Sequence, residues 1–280
     1  MDSQLIKDKD VVPMGEPNIQ SPEIKKKKII VISVVVALVL IIVITIILVF
    51  TLRKNEDAEL KPFVFNSTSG NHTHTLIFMP GYSNQPEDFK KVFTSKITFP
   101  KKNDTTIVIL RSPMVDITYN HTKNYAWYDI YGIPLKNLSD INFEQLKNSS
   151  KILEKAIENE VNLLNGNYEN IIVGGHSQGA SIALYQAYSG EKKLGGVFAF
   201  SGFLPPCNVS DDKNTLNAYL GYGDEDNIIE PSFINKSIEN IKDFEGFDLH
   251  IYKHHKHHVC TNQTIDVSKF LEKIIKLFED

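Results

Sequence analysis

The stretch that most limits how this chain can fold is Val173-Gly174-Gly175-His176-Ser177-Gln178-Gly179-Ala180-Ser181, whose core reads G-x-S-x-G. The β-branched Ile171 and Ile172 precede it, and Ala180, Ile182, Ala183, Leu184 and Ala187 follow. Residues of the first kind suit a strand and those of the second a helix, so Ser177 falls in the turn between the two. A strand-to-helix turn this tight leaves room only for small residues on either side, here Gly175 and Gly179, and it lifts the serine hydroxyl clear of the sheet.

Strands and helices alternate on both sides of this turn. Apolar patterning predicts strands at His74–Met79, Thr106–Leu110, Ile171–Gly174, Gly196–Ser201, Leu216–Gly221 and Asp248–Tyr252. Between and after them it predicts helices at Glu87–Ser95, Asn142–Leu164, Gln178–Tyr188 and around Ile234–Ile241, and a final helix whose Val267, Phe270, Leu271, Ile274 and Phe278 line one face. Such an alternation implies a mostly parallel sheet with helices on both faces.

The N-terminal part has a different character. Residues 1–28 read as a disordered tail ending in the basic block Lys25–Lys28. Ile29–Leu52 then runs without a charge, and a helix of that length is about 36 Å long, enough for a hydrocarbon core of roughly 30 Å. A single transmembrane signal-anchor helix is expected over 29–52, followed by a polar stem over 53–72 and an enzyme domain over 73–280. The excess of lysine before the span places the tail in the cytoplasm and the rest of the chain in the lumen or outside the cell, as a single-pass type II protein. Asn-x-Ser/Thr sequons at Asn66, Asn71, Asn103, Asn120, Asn137, Asn148, Asn208, Asn235 and Asn262 all follow the span, so N-glycans are expected. Acidic residues outnumber basic ones, 34 to 30, and no basic face for nucleic acid is apparent.

A serine hydroxyl needs a base to take its proton and a third group to fix the base's tautomer. In a strand-turn-helix serine hydrolase these partners follow in the order acid then histidine, each on a loop beyond a strand. Gly223-Asp224-Glu225-Asp226 offers an acid at Asp224 or Asp226 after one strand, and Lys253-His254-His255-Lys256-His257-His258 offers four histidines after the next. The histidine run could instead ligate Zn²⁺, but its flanking lysines repel a cation and it contains no carboxylate. No metal or cofactor is therefore expected. Cys207 and Cys260 could form one bridge in an oxidising compartment or remain free thiols.

From about Thr75 to Phe278 the chain resembles the acyl-protein thioesterase, or phospholipase/carboxylesterase, branch of the α/β-hydrolases. The matching pieces are Ile77-Phe78-Met79-Pro80-Gly81, Trp127-Tyr128-Asp129, Gly174–Gly179, Ser201-Gly202-Phe203-Leu204-Pro205, Gly223–Asp226 and Tyr252–Cys260. The resemblance implies an α/β-hydrolase fold behind the transmembrane helix, with Ser177 as nucleophile, Asp226 as acid and His257 as base. It implies backbone oxyanion donors at Tyr82 and Gln178. The chain departs from the family at Pro80-Gly81, where His-Gly is usual, although a backbone donor does not need that imidazole. Trp127 and Phe203 either line an acyl pocket or pack in the core. The expected activity is hydrolysis of esters or thioesters of an acylated small molecule, lipid or protein; the alternative is a non-catalytic binding domain on the same scaffold.

Overall fold

The computed structural model describes residues 22–276. The chain divides into two units between Glu56 and Asp57. The first is built on α1 (Pro22–Glu59). The expectation of a type II membrane protein with a lumenal enzyme domain is corrected here: among the described residues no helix is long and apolar enough to cross a membrane.

The second unit holds a seven-stranded sheet made of β1 (Phe63–Phe65), β2 (His74–Met79), β3 (Thr105–Ile109), β6 (Ile171–His176), β7 (Gly196–Phe200), β8 (Ala218–Gly223) and β9 (Phe247–Tyr252). β4 (Met114–Ile117) and β5 (Thr122–Tyr125) form a separate hairpin. The sheet order is β1-β3-β2-β6-β7-β8-β9. β1 runs antiparallel to β3, and the other neighbours are parallel. The longer connections carry α2 (Phe143–Leu163), α3 (Gln178–Ser189) and α4 (Pro231–Ser237), and α5 (Thr261–Lys276) follows the last strand.

Because side chains alternate across a strand, each central strand feeds two cores. Ile77 and Met79 of β2, Ile171 and Val173 of β6 and Val197 and Ala199 of β7 pack with Leu146, Leu153, Ile157 and Val161 of α2 and Ala180, Ala183 and Leu184 of α3. Leu76 and Phe78, Ile172, and Phe198 and Phe200 point the other way, onto Val267, Phe270, Leu271 and Ile274 of α5. Each such buried Leu, Ile or Phe contributes about 1.5–3 kcal/mol relative to exposure. Burial on both faces is why these strands read as continuous apolar runs.

Three local outcomes differ from the sequence expectation. The helix expected over Glu87–Ser95 is a 3₁₀ turn at Pro86–Phe89 and a π turn at Val92–Lys96; together they bring both Phe89 and Phe93 onto the ring of Phe78, with centroids 4.7 and 5.0 Å apart. β1 falls within the stretch read as a stem, and its three residues are too few to show a period. The β4–β5 hairpin is short and only half apolar, and bonds to residues outside it hold it. Ser83 N–H donates to the Tyr125 carbonyl (2.8 Å), and Thr118 donates to the Asp129 carboxylate through N–H (2.7 Å) and Oγ1 (2.6 Å).

Candidate active site

β6 ends at His176 and α3 begins at Gln178, which leaves Ser177 as the single residue of the turn, at φ 56° and ψ −118°. An L-residue held there costs about 1–3 kcal/mol and persists only when its surroundings over-determine it. They do so here. Ser177 N–H donates to the Phe200 carbonyl at 2.9 Å, tying the turn to β7. A Cβ on Gly175 would lie 2.3 Å from the Gly179 carbonyl carbon, and one on Gly179 would lie 2.1 Å from the Met79 carbonyl oxygen. Backbone occupies both places, so neither neighbour can yield. Gly179→Ala is expected to destabilise the domain by more than about 3 kcal/mol; a urea midpoint unchanged from the parent protein would contradict this.

Asp226 and His257 lie on the loops that follow β8 and β9. Asp226 closes a turn just after β8, its N–H donating to the Gly223 carbonyl (3.2 Å). Its Oδ1 accepts from the N–H groups of Ile228 and Ile229, each at 2.9 Å, so the carboxylate is fixed from behind. The loop after β9 packs directly on this turn. Glu225 N–H donates to the His255 carbonyl at 3.0 Å, and a Cβ on Gly223 would meet that carbonyl oxygen at 2.0 Å. From this loop His257 presents Nδ1 to Asp226, 2.7 Å from Oδ2 and 3.0 Å from Oδ1. Its Nε2 lies 2.8 Å from Ser177 Oγ. With the proton on Nδ1, that N–H donates to the carboxylate and the Nε2 lone pair accepts from the serine hydroxyl.

The other candidates go elsewhere. Asp224 faces Lys253 Nζ at 3.4 Å, and His254 faces Glu225 at 3.0 Å. His255 Nε2 donates to the His258 carbonyl at 2.6 Å. Cys207 and Cys260 are free thiols. Cys260 Sγ accepts from Gln263 N–H at the start of α5 (3.5 Å), and burial pushes the Cys207 thiol up to about 11.

The loop after β2, which carries Pro80, Gly81 and Tyr82, closes against the serine: a Cβ on Gly81 would lie 3.1 Å from Ser177 Cβ. Trp127, only 1% exposed, holds this loop by donating Nε1–H to the Pro80 carbonyl at 2.7 Å. Gln178 in turn holds the Trp127 segment. Its Oε1 accepts from Trp127 N–H (2.9 Å), and its Nε2 donates to the Tyr128 carbonyl (2.8 Å). Trp127 is thus a brace between the two backbone segments that bear Tyr82 and Gln178. Phe203 is fully buried against Phe233, ring centroids 4.7 Å apart. It helps line a cavity of about 380 Å³ together with Leu138, Leu204, Pro205, Cys207 and Val209; Trp127 does not reach it.

His176 was not singled out from the sequence, because the x of G-x-S-x-G is unconstrained by the turn. Its Nε2 donates to the His257 main-chain carbonyl at 3.0 Å, while Nδ1 is sealed from solvent without a partner. Burial, then the neighbouring His257, lowers its pKa to about 4. A histidine unfolded at about 6.5 and folded at about 4 adds stability above pH 6.5 that is lost as pH falls towards 4, on the order of 3 kcal/mol in full. Between pH 7 and pH 4.5 the urea midpoint is expected to drop further in the parent protein than in His176→Gln; equal drops would refute the assignment.

A mostly parallel sheet flanked by helices, with a serine raised on a strand-to-helix turn, defines an α/β-hydrolase. Residues 61–275 match the phospholipase/carboxylesterase family, and the chain belongs to it. It is a serine hydrolase of the esterase and thioesterase class. Acyl-protein thioesterase 1 of Mycosarcoma maydis is 27% identical over 236 residues, which cover 77% of this chain and 98% of that protein. Acyl-protein thioesterase 1 homolog 1 of Dictyostelium discoideum is 29% identical over 211 residues, 73% and 92% of the two chains. Among solved structures, Arabidopsis thaliana SOBER1 matches with a TM-score of 0.65 at 16% identity, over 72% of this chain and 99% of that one. Zea mays acyl-protein thioesterase 2 matches with a TM-score of 0.60 at 18% identity, over 77% and 99%. At these identities the structural likeness is one of fold.

Proposed function

We propose that Ser177, His257 and Asp226 act as nucleophile, general base and orienting acid in hydrolysing an ester or thioester of an acylated substrate. The observation that carries this reading is the unbroken chain from Ser177 Oγ to His257 Nε2 (2.8 Å) and from His257 Nδ1 to Asp226 Oδ2 (2.7 Å). Ser177 Oγ attacks the acyl carbonyl as His257 takes its proton, and Asp226 stabilises the imidazolium so formed. The oxyanion develops between the main-chain N–H groups of Tyr82 and Gln178, each such donor being worth about 3 kcal/mol in the transition state. His257 returns the proton to the departing alcohol or thiol. Water, deprotonated by the same imidazole, then releases the acid from the acyl-enzyme.

The cavity beside Phe203 takes the acyl chain in this reading. Its volume of about 380 Å³ falls within the usual range for ligand sites, and its lining combines apolar Phe203, Leu204, Val209 and Phe233 with polar Lys136 and Lys236. The relatives' names point to S-acylated proteins, and the family's to phospholipids and carboxylic esters. The test uses the full-length chain. A fluorophosphonate probe is expected to label it stoichiometrically at one serine, and p-nitrophenyl esters to be cleaved with kcat/KM rising from acetate to medium-chain acyl groups. Folded protein that neither labels nor turns over would sink the proposal, and a flat chain-length series would remove the cavity from it.

A further inference from the structure

The loop that carries His257 lies beyond β9, at the edge of the sheet, and passes through a left-handed residue, His254, at φ 54°. Its ring is held on one side by Asp226 and on the other by Ser177 Oγ. The second of these bonds cannot survive the reaction, because Oγ loses its proton and becomes the ester oxygen of the acyl-enzyme. One link between base and nucleophile does not depend on that proton: the imidazole of His176, covalently next to Ser177, donates from Nε2 to the His257 carbonyl at 3.0 Å.

We propose that His176 is a positioning residue that keeps His257 in register with the nucleophilic turn while Ser177 is acylated. This rests on the triad reading above. Two further observations support the role. His176 Nδ1 is buried without a partner against Gly81, where a Cβ would lie 2.9 Å from it, so the ring has one donor and nowhere to place a second proton. The ring therefore stays neutral, although its centroid is 5.2 Å from that of His257. A neutral donor at that distance steadies the loop without repelling the imidazolium that His257 becomes, whereas a lysine or arginine there would oppose it.

The role predicts an asymmetry between the two half-reactions. During acylation His257 is held by Asp226, Ser177 and the His176 tether; during deacylation only Asp226 and the tether remain. Removing the tether should slow deacylation more than acylation. Stopped-flow hydrolysis of a p-nitrophenyl ester by the full-length chain separates the phases, with Ser177→Ala as the control for the triad itself. His176→Phe keeps the ring volume but loses the donor. His176→Gln returns an amide N–H at about the reach of Nε2, and His176→Asn falls short of it.

In the Phe and Asn variants the deacylation constant is expected to fall about 10- to 100-fold. The acylation constant should fall less, exposing a burst of p-nitrophenol. The Gln variant should restore deacylation to within about threefold of the parent protein. A Phe variant with parental constants, a Phe variant slowed equally in both phases, or a Gln variant as impaired as Phe would each overturn the role. Turnover retained by Ser177→Ala would instead overturn the triad reading on which the role depends.

Discussion

Ser177→Ala is expected to lower kcat/KM for ester hydrolysis by about 10⁴-fold or more and to abolish fluorophosphonate labelling. In the proposed reaction the hydroxyl is the group that forms the covalent bond, and His257 Nε2, 2.8 Å away, has no other proton to take from this residue. What remains after substitution is binding and the backbone oxyanion donors, which account for only a small part of the acceleration. The variant should fold, because the turn is held by main-chain groups: Ser177 N–H on the Phe200 carbonyl and the Ser177 carbonyl under Ser181 N–H (3.1 Å). Alanine keeps both. Circular dichroism and the urea midpoint provide the folding control, and a folded variant whose kcat/KM stays within about tenfold of the parent would exclude Ser177 as the nucleophile.

Asp226→Asn is expected to reduce kcat by about 10³- to 10⁴-fold, and Asp224→Asn by no more than a few fold. The asparagine oxygen can still accept from the N–H groups of Ile228 and Ile229, which hold Oδ1 at 2.9 Å in the parent protein. Its amide nitrogen would then face His257 Nδ1 where Oδ2 stood. A donor at that place demands a lone pair on Nδ1 and moves the imidazole proton to Nε2, the wrong tautomer for accepting from Ser177. The charge that stabilises the imidazolium is lost as well. Asp224 instead faces Lys253 and the backbone N–H groups of His254 and His255, so its amide should leave the chain from Ser177 through His257 to Asp226 in place. Steady-state rates at pH 8 for both variants would decide the assignment; an Asp224→Asn loss as large as that of Asp226→Asn would reverse it.

Much of the fold and part of the candidate site were legible in the chain. The strands β2, β3, β6, β7 and β8 are largely apolar runs because both faces are buried, whereas β9 at the sheet edge is mixed and partly exposed, and α2 and α5 show a single apolar face because only one is buried. The G-x-S-x-G turn was legible because its glycines answer a local demand. The Gly175 and Gly179 positions have backbone 2.3 and 2.1 Å from where a Cβ would stand. The three-residue β1 and the short β4–β5 hairpin were not legible, because the partners that hold them, β3 and Ser83, are distant in sequence.

The choice among acids and histidines marks the same boundary. Order along the chain narrows it to Asp224 or Asp226 and to four histidines, since a parallel sheet brings successive loops to one edge. Which side chains meet depends on packing between loops. Gly223 lets the His255 backbone approach, Glu225 N–H fixes its carbonyl, and that contact turns His257 towards Asp226 while Asp224 faces Lys253. Trp127 and His176 are further cases. An indole N–H reaching the Pro80 carbonyl and an imidazole reaching the His257 carbonyl join positions 47 and 81 residues apart. Periodicity and local sterics are written into neighbouring residues and can be read from them, whereas the direction in which a buried polar side chain points is set by whichever distant backbone group folding leaves in need of a partner.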